Sequence, residues 1–211
     1  DLQQIEVLKG PQGALYGRNA SAGVVVITTK EPADDFEGKV SFGYGSWNSP
    51  EANAAVGGAI IPSILDFRIS ASFTGTDGPY TNIMTGDKTH RYQEFSGRAR
   101  LLFTPNERFR ADLIIAAMHG NGTQASFIPK VVGTVIHGIP VNDVSNNDNI
   151  DIPLVTDVSS FYTQDITSVS LKMGYQFDGF ELTSIGAWST SEEPMSSKNF
   201  PYSNPTDRST D

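Results

Sequence analysis

The sequence contains no cysteine. That absence removes disulfide staples, thiolate metal sites and a cysteine nucleophile together, and argues against a disulfide-stapled secreted module. Charge is also scarce. Only 18% of the 211 residues are charged, against 38% hydrophobic, which is low for a soluble globular domain. Lys and Arg number 15 against 24 Asp and Glu, for a net charge of −9. A phosphate backbone needs a basic patch, so no nucleic-acid partner is expected. Long apolar runs are missing too. None approaches the roughly 18 residues of a membrane-crossing helix, and a typical longest run is residues 113–118. No leader-like segment opens the chain. Asp1 stands in mid-motif just before a strand-like run, so the sequence is expected to be an internal piece of a longer protein.

Glycine (20), proline (12) and short β-branched runs are what the chain does have. Residues 5–8 and 24–29 are apolar runs flanking Gly10, Pro11, Gly13, Gly17, Asn19 and Gly23. Such runs bounded by Gly and Pro predict two short strands around a tight-turned segment. A phosphate-loop reading of this segment fails, because Gly-Lys-Ser/Thr is absent and a strand pattern follows.

After Lys30-Glu31-Pro32 the composition changes, which predicts a boundary near residues 31–36. Seven further strands are expected over residues 37–45, 52–60, 65–74, 92–103, 109–118, 166–177 and 180–188. Each has about the length of a tilted strand crossing a bilayer. Most alternate strictly. Leu65, Phe67, Ile69, Ala71 and Phe73 oppose Asp66, Arg68, Ser70, Ser72 and Thr74. Phe95, Gly97, Ala99, Leu101 and Phe103 oppose Glu94, Ser96, Arg98 and Arg100. Charge confined to one face is what lipid outside and water inside demand, although a half-buried soluble sheet shows it as well. The connectors favour the first reading. They alternate short (61–64, 104–108, 178–179) with long (77–91, 120–165, 190 onward), as outer-membrane barrels do. Aromatics such as Tyr44, Phe103, Phe109, Tyr175, Phe177 and Phe180 cluster at strand ends, as interfacial girdles would.

Nothing points to catalysis or a bound cofactor. His90, His119 and His137 are scattered, with no second ligand at metal spacing. Asp143, Asp148, Asp151 and Asp157 sit in a loop rich in asparagine, expected to be solvated; Ca²⁺ is the alternative, without the twelve-residue loop pattern. Serines are abundant but no nucleophile elbow accompanies them.

The stretch from Val7-Leu8 through Lys9, Gly10-Pro11, Gly13, Leu15-Tyr16-Gly17, Arg18-Asn19 and Ala22-Gly23 into residues 24–30 resembles the closing part of the plug domain of TonB-dependent outer-membrane receptors. It departs at Lys9, where many members carry an Arg that helps hold the plug to the barrel; Lys keeps the charge and loses the bidentate fork. The resemblance implies an all-β chain: a partial transmembrane antiparallel β-barrel of about seven strands out of roughly 22, preceded by the end of an α+β plug. Residues 1–33 would close the plug and 34–211 would begin the barrel. It implies the bacterial outer membrane, surrounding lipid, and a TonB complex engaged through a segment upstream. The implied function is energised uptake of a scarce small molecule, a ferric siderophore first among cobalamin, nickel complexes and oligosaccharides. Lys9, Tyr16 and Arg18 would touch barrel or substrate, and Arg68, Arg98, Arg100 and Lys172 would face the lumen. A passive porin and a soluble β-rich binding or adhesion module are the competing readings.

Overall fold

The computed structural model describes residues 1–16, 20–82, 86–124, 135–136, 139–140 and 160–196. Its elements are β1 (Leu2–Lys9), α1 (Gly13–Tyr16), β2 (Gly23–Thr29), β3 (Glu37–Gly45), β4 (Ser49–Ile61), β5 (Leu65–Thr76), β6 (Tyr80–Thr81), β7 (Lys88–Thr89), β8 (Tyr92–Asn106), β9 (Phe109–Gln124), β10 (Val135–Ile136), β11 (Ile139–Pro140), β12 (Ser160–Gln176), β13 (Glu181–Glu192) and β14 (Met195–Ser196).

The described strands form four sheets, of which β6–β7 and β10–β11 are two-residue pairs. β1 and β2 pair antiparallel as a two-stranded ribbon. β3, β4, β5, β8, β9, β12 and β13 form a wall in which each strand pairs with its neighbour in that sequence, and β14 adds to β12. Every pairing in the wall is antiparallel. Next-neighbour pairing follows from the connectors: antiparallel strands can be joined by a few residues, whereas parallel ones need a long crossover.

The wall has almost no interior of its own. Among the described residues only Ala20 and Leu102 are buried hydrophobics. Phe42 is 83% exposed and Phe95 55%, so no sandwich encloses the rings. Period-two geometry sends Val40, Phe42, Phe67, Ile69, Phe95, Leu101, Ile115 and Leu171 to one face. A continuous apolar face of this extent is unfavourable in water at about 25 cal/mol per Å². Lipid is the medium that removes the cost. The opposite face carries the ribbon and is called inner below.

Turn chemistry fixes the two ends. At the short-turn end Ser63 takes φ 59° and Gly179 φ 144°, while Asn106 Oδ1 accepts the amides of Arg108 and Phe109, each at 3.0 Å. Rings collect here on the outer face: Phe103 meets Phe109 edge-on at 6.2 Å, and Phe177 lies 4.6 Å from both Tyr175 and Phe180. At the other end Trp47 and Asn48 both have positive φ, the backbone a tight hairpin requires. The Asn48 side chain accepts from the Tyr44 hydroxyl at 2.9 Å and donates to Asp77 at 3.0 Å.

Several expected bounds are too short. The strand expected to stop at residue 118 runs to Gln124, and β12 begins at Ser160, so much of the expected 120–165 connector is wall. The Gly120-Asn121-Gly122 run reads as a turn in sequence. In the structure Gly122 lies within the strand, and the position needs glycine for space: a Cβ there would come 2.6 Å from the Arg91 carbonyl and 2.8 Å from the Tyr162 ring. Likewise β13 continues to Glu192, and the expected 77–91 connector contains the β6–β7 ribbon. Within the expected 120–165 connector, β10 and β11 form a short antiparallel pair; His137 and the acidic residues Asp143, Asp148, Asp151 and Asp157 lie outside the described residues.

Gly57 offers a test of the wall's packing. A Cβ at this position would sit 2.9 Å from the Phe67 carbonyl and 3.3 Å from Arg68 Nη1. Gly57→Ala is expected to cost about 1–3 kcal/mol in urea unfolding of the full-length protein in detergent. Gly186→Ala, where the added methyl meets open space, is expected to change it by less than about 0.5 kcal/mol.

Candidate ribbon–wall interface and lumen face

Strand register places inner-face side chains in cross-strand rows. Glu37, Gly57, Arg68, Arg100 and Ile114 form one such row. Arg68 and Arg100 are direct neighbours on it, and like charges directly opposite repel. Both are buried, at 6% and 7% exposure. A buried guanidinium must be paired, and each finds one carboxylate in the wall and another in the residues flanking the ribbon.

Arg68 grips Asp1 with a two-pronged fork, Nε to Oδ2 at 2.5 Å and Nη2 to Oδ1 at 2.9 Å, and also donates to Glu37. Arg100 forms a second fork with Asp112, Nε to Oδ1 at 2.9 Å and Nη2 to Oδ2 at 2.6 Å. Its remaining donors reach the end of the ribbon: Glu31 Oε1 at 2.8 Å and the carbonyls of Thr29 and Lys30 at 3.2 and 3.4 Å. Arg110 holds the other Glu31 oxygen at 2.9 Å. Planar forks of this kind are the strong form of charge-assisted hydrogen bond. Leu2 and Thr29 pair across the ribbon, so Arg68 holds the residue before one strand and Arg100 the residues after the other. The two guanidinium groups act as a clip on one end of the ribbon.

The segment that follows is fastened as well. Lys30 Nζ pairs with Glu37 at 2.5 Å. The Asp34 carbonyl accepts from Ala59 at 3.2 Å. The Asp34 carboxylate accepts the Ser63 amide at 2.7 Å and the Ser63 hydroxyl at 3.2 Å. The Ser63 amide is the main reason the Asp34 carboxyl, in this linker outside the strands, lies below its ordinary 3.8.

Of the wall residues singled out from sequence, Arg68 and Arg100 make the clip. Arg98 and Lys172 point to the same face and, among the described residues, form no ion pair. Of the ribbon residues, Lys9 ends β1 opposite Gly23 and is exposed, as are Pro11 and Gly13, and Tyr16 is 48% exposed. Gly10 takes φ 89° and donates to the Ala22 carbonyl at 3.1 Å. Gly23 is required by space, since a Cβ would stand 2.6 Å from the Leu8 carbonyl. Gly17 and Arg18 lie outside the described residues.

The carboxylates of the clip were not foreseen. Asp112 carried a signal, as the one charge inside the otherwise apolar run after Arg110. Asp1, Glu31 and Glu37 carried none, because their role depends on how the ribbon sits against the wall.

Hollows open on the inner face among the described residues. One, of about 610 Å³, lies between Asp1-Leu2 and the wall. Another, of about 360 Å³, lies at the far end among His90, Tyr92, Tyr162 and Gln164. No group of three His, Asp or Glu side chains suited to a metal occurs among the described residues.

No protein-family model matches the chain. The pesticin receptor of Yersinia pestis is 29% identical over 109 residues, covering 51% of this chain and 16% of that protein. A probable TonB-dependent siderophore receptor, PirA, of Acinetobacter baumannii is 29% identical over 134 residues, covering 57% and 18%. The crystal structure of the ferric yersiniabactin uptake receptor FyuA from Yersinia pestis superposes with a TM-score of 0.74 at 23% identity, over 92% of this chain and 29% of that one. The chain resembles TonB-dependent siderophore receptors. It carries the fold of these outer-membrane receptors and spans less than a fifth of the length of the curated relatives cited. All three relatives are named as receptors, PirA as TonB-dependent, and none of the three as an enzyme.

The clip predicts unequal losses. Arg100→Met strands the 10%-exposed Asp112 carboxylate and is expected to cost about 3–5 kcal/mol. Glu31→Gln, at a 47%-exposed partner, is expected to cost under about 1 kcal/mol. Urea unfolding of the full-length protein in detergent compares them, and equal losses would refute the clip. The Asp34 contact has a defined pH sense: a depressed folded-state value gives stability that is complete above the ordinary carboxylate range and is lost as pH falls through the folded value. Exchange protection of the Ser63 amide is expected to drop over that acid range, and Asp34→Asn to abolish the dependence.

Proposed function

We propose that the parent protein imports a scarce small molecule, a ferric siderophore, across the bacterial outer membrane. Residues 1–33 serve as the closing part of its plug and residues 34–211 as the first strands of its barrel. The observation that carries this is a β-ribbon clipped by buried Arg68 and Arg100 to the polar side of a strand wall whose other side is apolar. A passive porin has no use for such a ribbon. A soluble binding module would not leave Phe42 and Phe95 facing outward.

In this reading the substrate binds at the long-connector end and TonB, engaging a segment upstream of Asp1, pulls on the plug. A plug held by ion pairs in a wet lumen can be remodelled, since water takes over each released partner; an apolar contact would expose hydrocarbon instead. Which siderophore is carried is a matter of loop side chains rather than of the fold. Lys9, Tyr16 and Arg18 are proposed as plug contacts to barrel or substrate, and Arg98 and Lys172 as lumen-lining cations. No step of this function calls for catalysis.

Deletion of the gene, with candidate ferric siderophores supplied singly under iron limitation, tests the proposal. Uptake of radiolabelled iron is expected to fall for one siderophore class and to return with the full-length gene only when TonB and the proton gradient are intact. Uptake that persists without TonB would overturn it in favour of a passive pore.

A further inference from the structure

Ser63 sits in the turn between β4 and β5 with φ 59°, and its amide and hydroxyl both donate to the Asp34 carboxylate, at 2.7 and 3.2 Å. Three residues on, Asp66 is the first side chain that β5 turns to the inner face. It is 7% exposed. Its cross-strand neighbours are Ala59 on β4 and Leu102 on β8, whose side chains offer no donor. Oδ1 of Asp66 is closed off from solvent and has no donor among the described residues. What the Asp66 carboxyl does meet is another carboxyl, that of Asp34.

The charged groups around this pair are engaged elsewhere. Arg68, two residues along β5 on the same face, is forked on Asp1 and reaches Glu37. Arg100, two residues before Leu102 on β8, is forked on Asp112 and reaches Glu31. Asp112 itself lies opposite Leu102 on β9. Lys30 pairs with Glu37, and Asp35, beside Asp34 in the linker, is exposed. No ion pair reaches Asp34 or Asp66 among the described residues.

Two carboxylates in contact cannot both stay ionised, and an acceptor cut off from water and from donors is costly. One proton held between the two carboxyls removes both difficulties, because it cancels one charge and supplies the missing donor. The remaining negative charge rests on Asp34, which the two Ser63 donors already stabilise. Chain outside residues 1–211 can add neighbours to the exposed Asp34, but it brings no donor to an oxygen already enclosed by described residues. We propose that Asp34 and Asp66 share one proton at neutral pH, and that this proton latches the linker to the wall. The latch is independent of what the parent protein carries. Loss of the proton sets two like charges against each other and drives the linker off the turn. The folded chain keeps a proton that the unfolded carboxylates have released, so the attachment weakens as pH rises through the titration of the pair. That sense is opposite to the acid loss at the Asp34–Ser63 contact, and the seam is tightest between the two limits.

Exchange of the Ser63 amide in the full-length protein in detergent, expressed relative to the intrinsic rate at each pH, reads the latch. Protection is expected to fall from neutral to mildly alkaline pH, by at most about tenfold per pH unit, the limit for release of one proton. Asp66→Asn keeps the shape and donates to Asp34 at every pH, so its protection is expected to stay level over the same range. Infrared difference spectra, parent minus Asp66→Asn, are expected to show the carbonyl stretch of one protonated carboxyl at neutral pH. A level profile in the parent, a fall that persists in Asp66→Asn, or no such band would each overturn the proposal. If the variant does not fold, isotope-labelled aspartate in the parent decides. An aspartic acid band fading in step with Ser63 protection supports the latch; no such band at neutral pH, or one indifferent to rising pH, overturns it. None of these measurements involves transport, so failure here and failure of TonB-dependent uptake are separate results.

Discussion

Seven neighbouring strands turn Phe42, Phe67, Phe95 and Ile115 to one side and Arg68, Arg100 and Asp112 to the other, and among the described residues no second layer of protein covers the apolar side. Burial that a soluble domain obtains from its own core must here come from hydrocarbon around the molecule. Everything else in the architecture is subordinate to that inversion. Antiparallel pairing leaves no backbone group unpaired between strands, which hydrocarbon demands. The ring cluster of Tyr175, Phe177 and Phe180 gathers where the short turns leave the apolar band. The inner face is then free to be polar and to carry charge at a depth where a conventional core would forbid it.

Carrying charge there creates its own constraint. Arg68 and Arg100 are cross-strand neighbours of like sign, both withdrawn from bulk water. Only Asp112 among their carboxylate partners comes from the middle of the wall; Asp1 and Glu31 come from the ribbon's end, and Glu37 from the first residue of β3. The wall supplies one carboxylate to each arginine, Glu37 to Arg68 and Asp112 to Arg100. Docking the ribbon adds a second to each, Asp1 and Glu31, so the seating of the ribbon and the pairing of the wall's arginines are coupled. The Asp34–Ser63 contact and the Lys30–Glu37 pair extend the attachment through the linker.

The period-two pattern made the wall legible in sequence because a strand between lipid and water has no other arrangement open to it. β3 begins and ends at Glu37 and Gly45 as the pattern predicts. What the pattern concealed were the strand extensions beyond the lipid. There both faces meet water, alternation loses its meaning, and Gly120 to Gly122 resembles a turn while continuing β9. The clip was half legible. Arg68 and Arg100 stand out as cations on an otherwise apolar-alternating strand. Glu31 reads as an ordinary linker acid, since its partners lie some seventy residues away in sequence and are joined to it only by the fold.

Gly122 and Tyr162 face each other across β9 and β12 with no room for even a methyl group between them. Position 122 is thereby closed to enlargement from two sides: a smaller residue at 162 would relieve the ring contact and still leave the Arg91 carbonyl 2.6 Å from any Cβ.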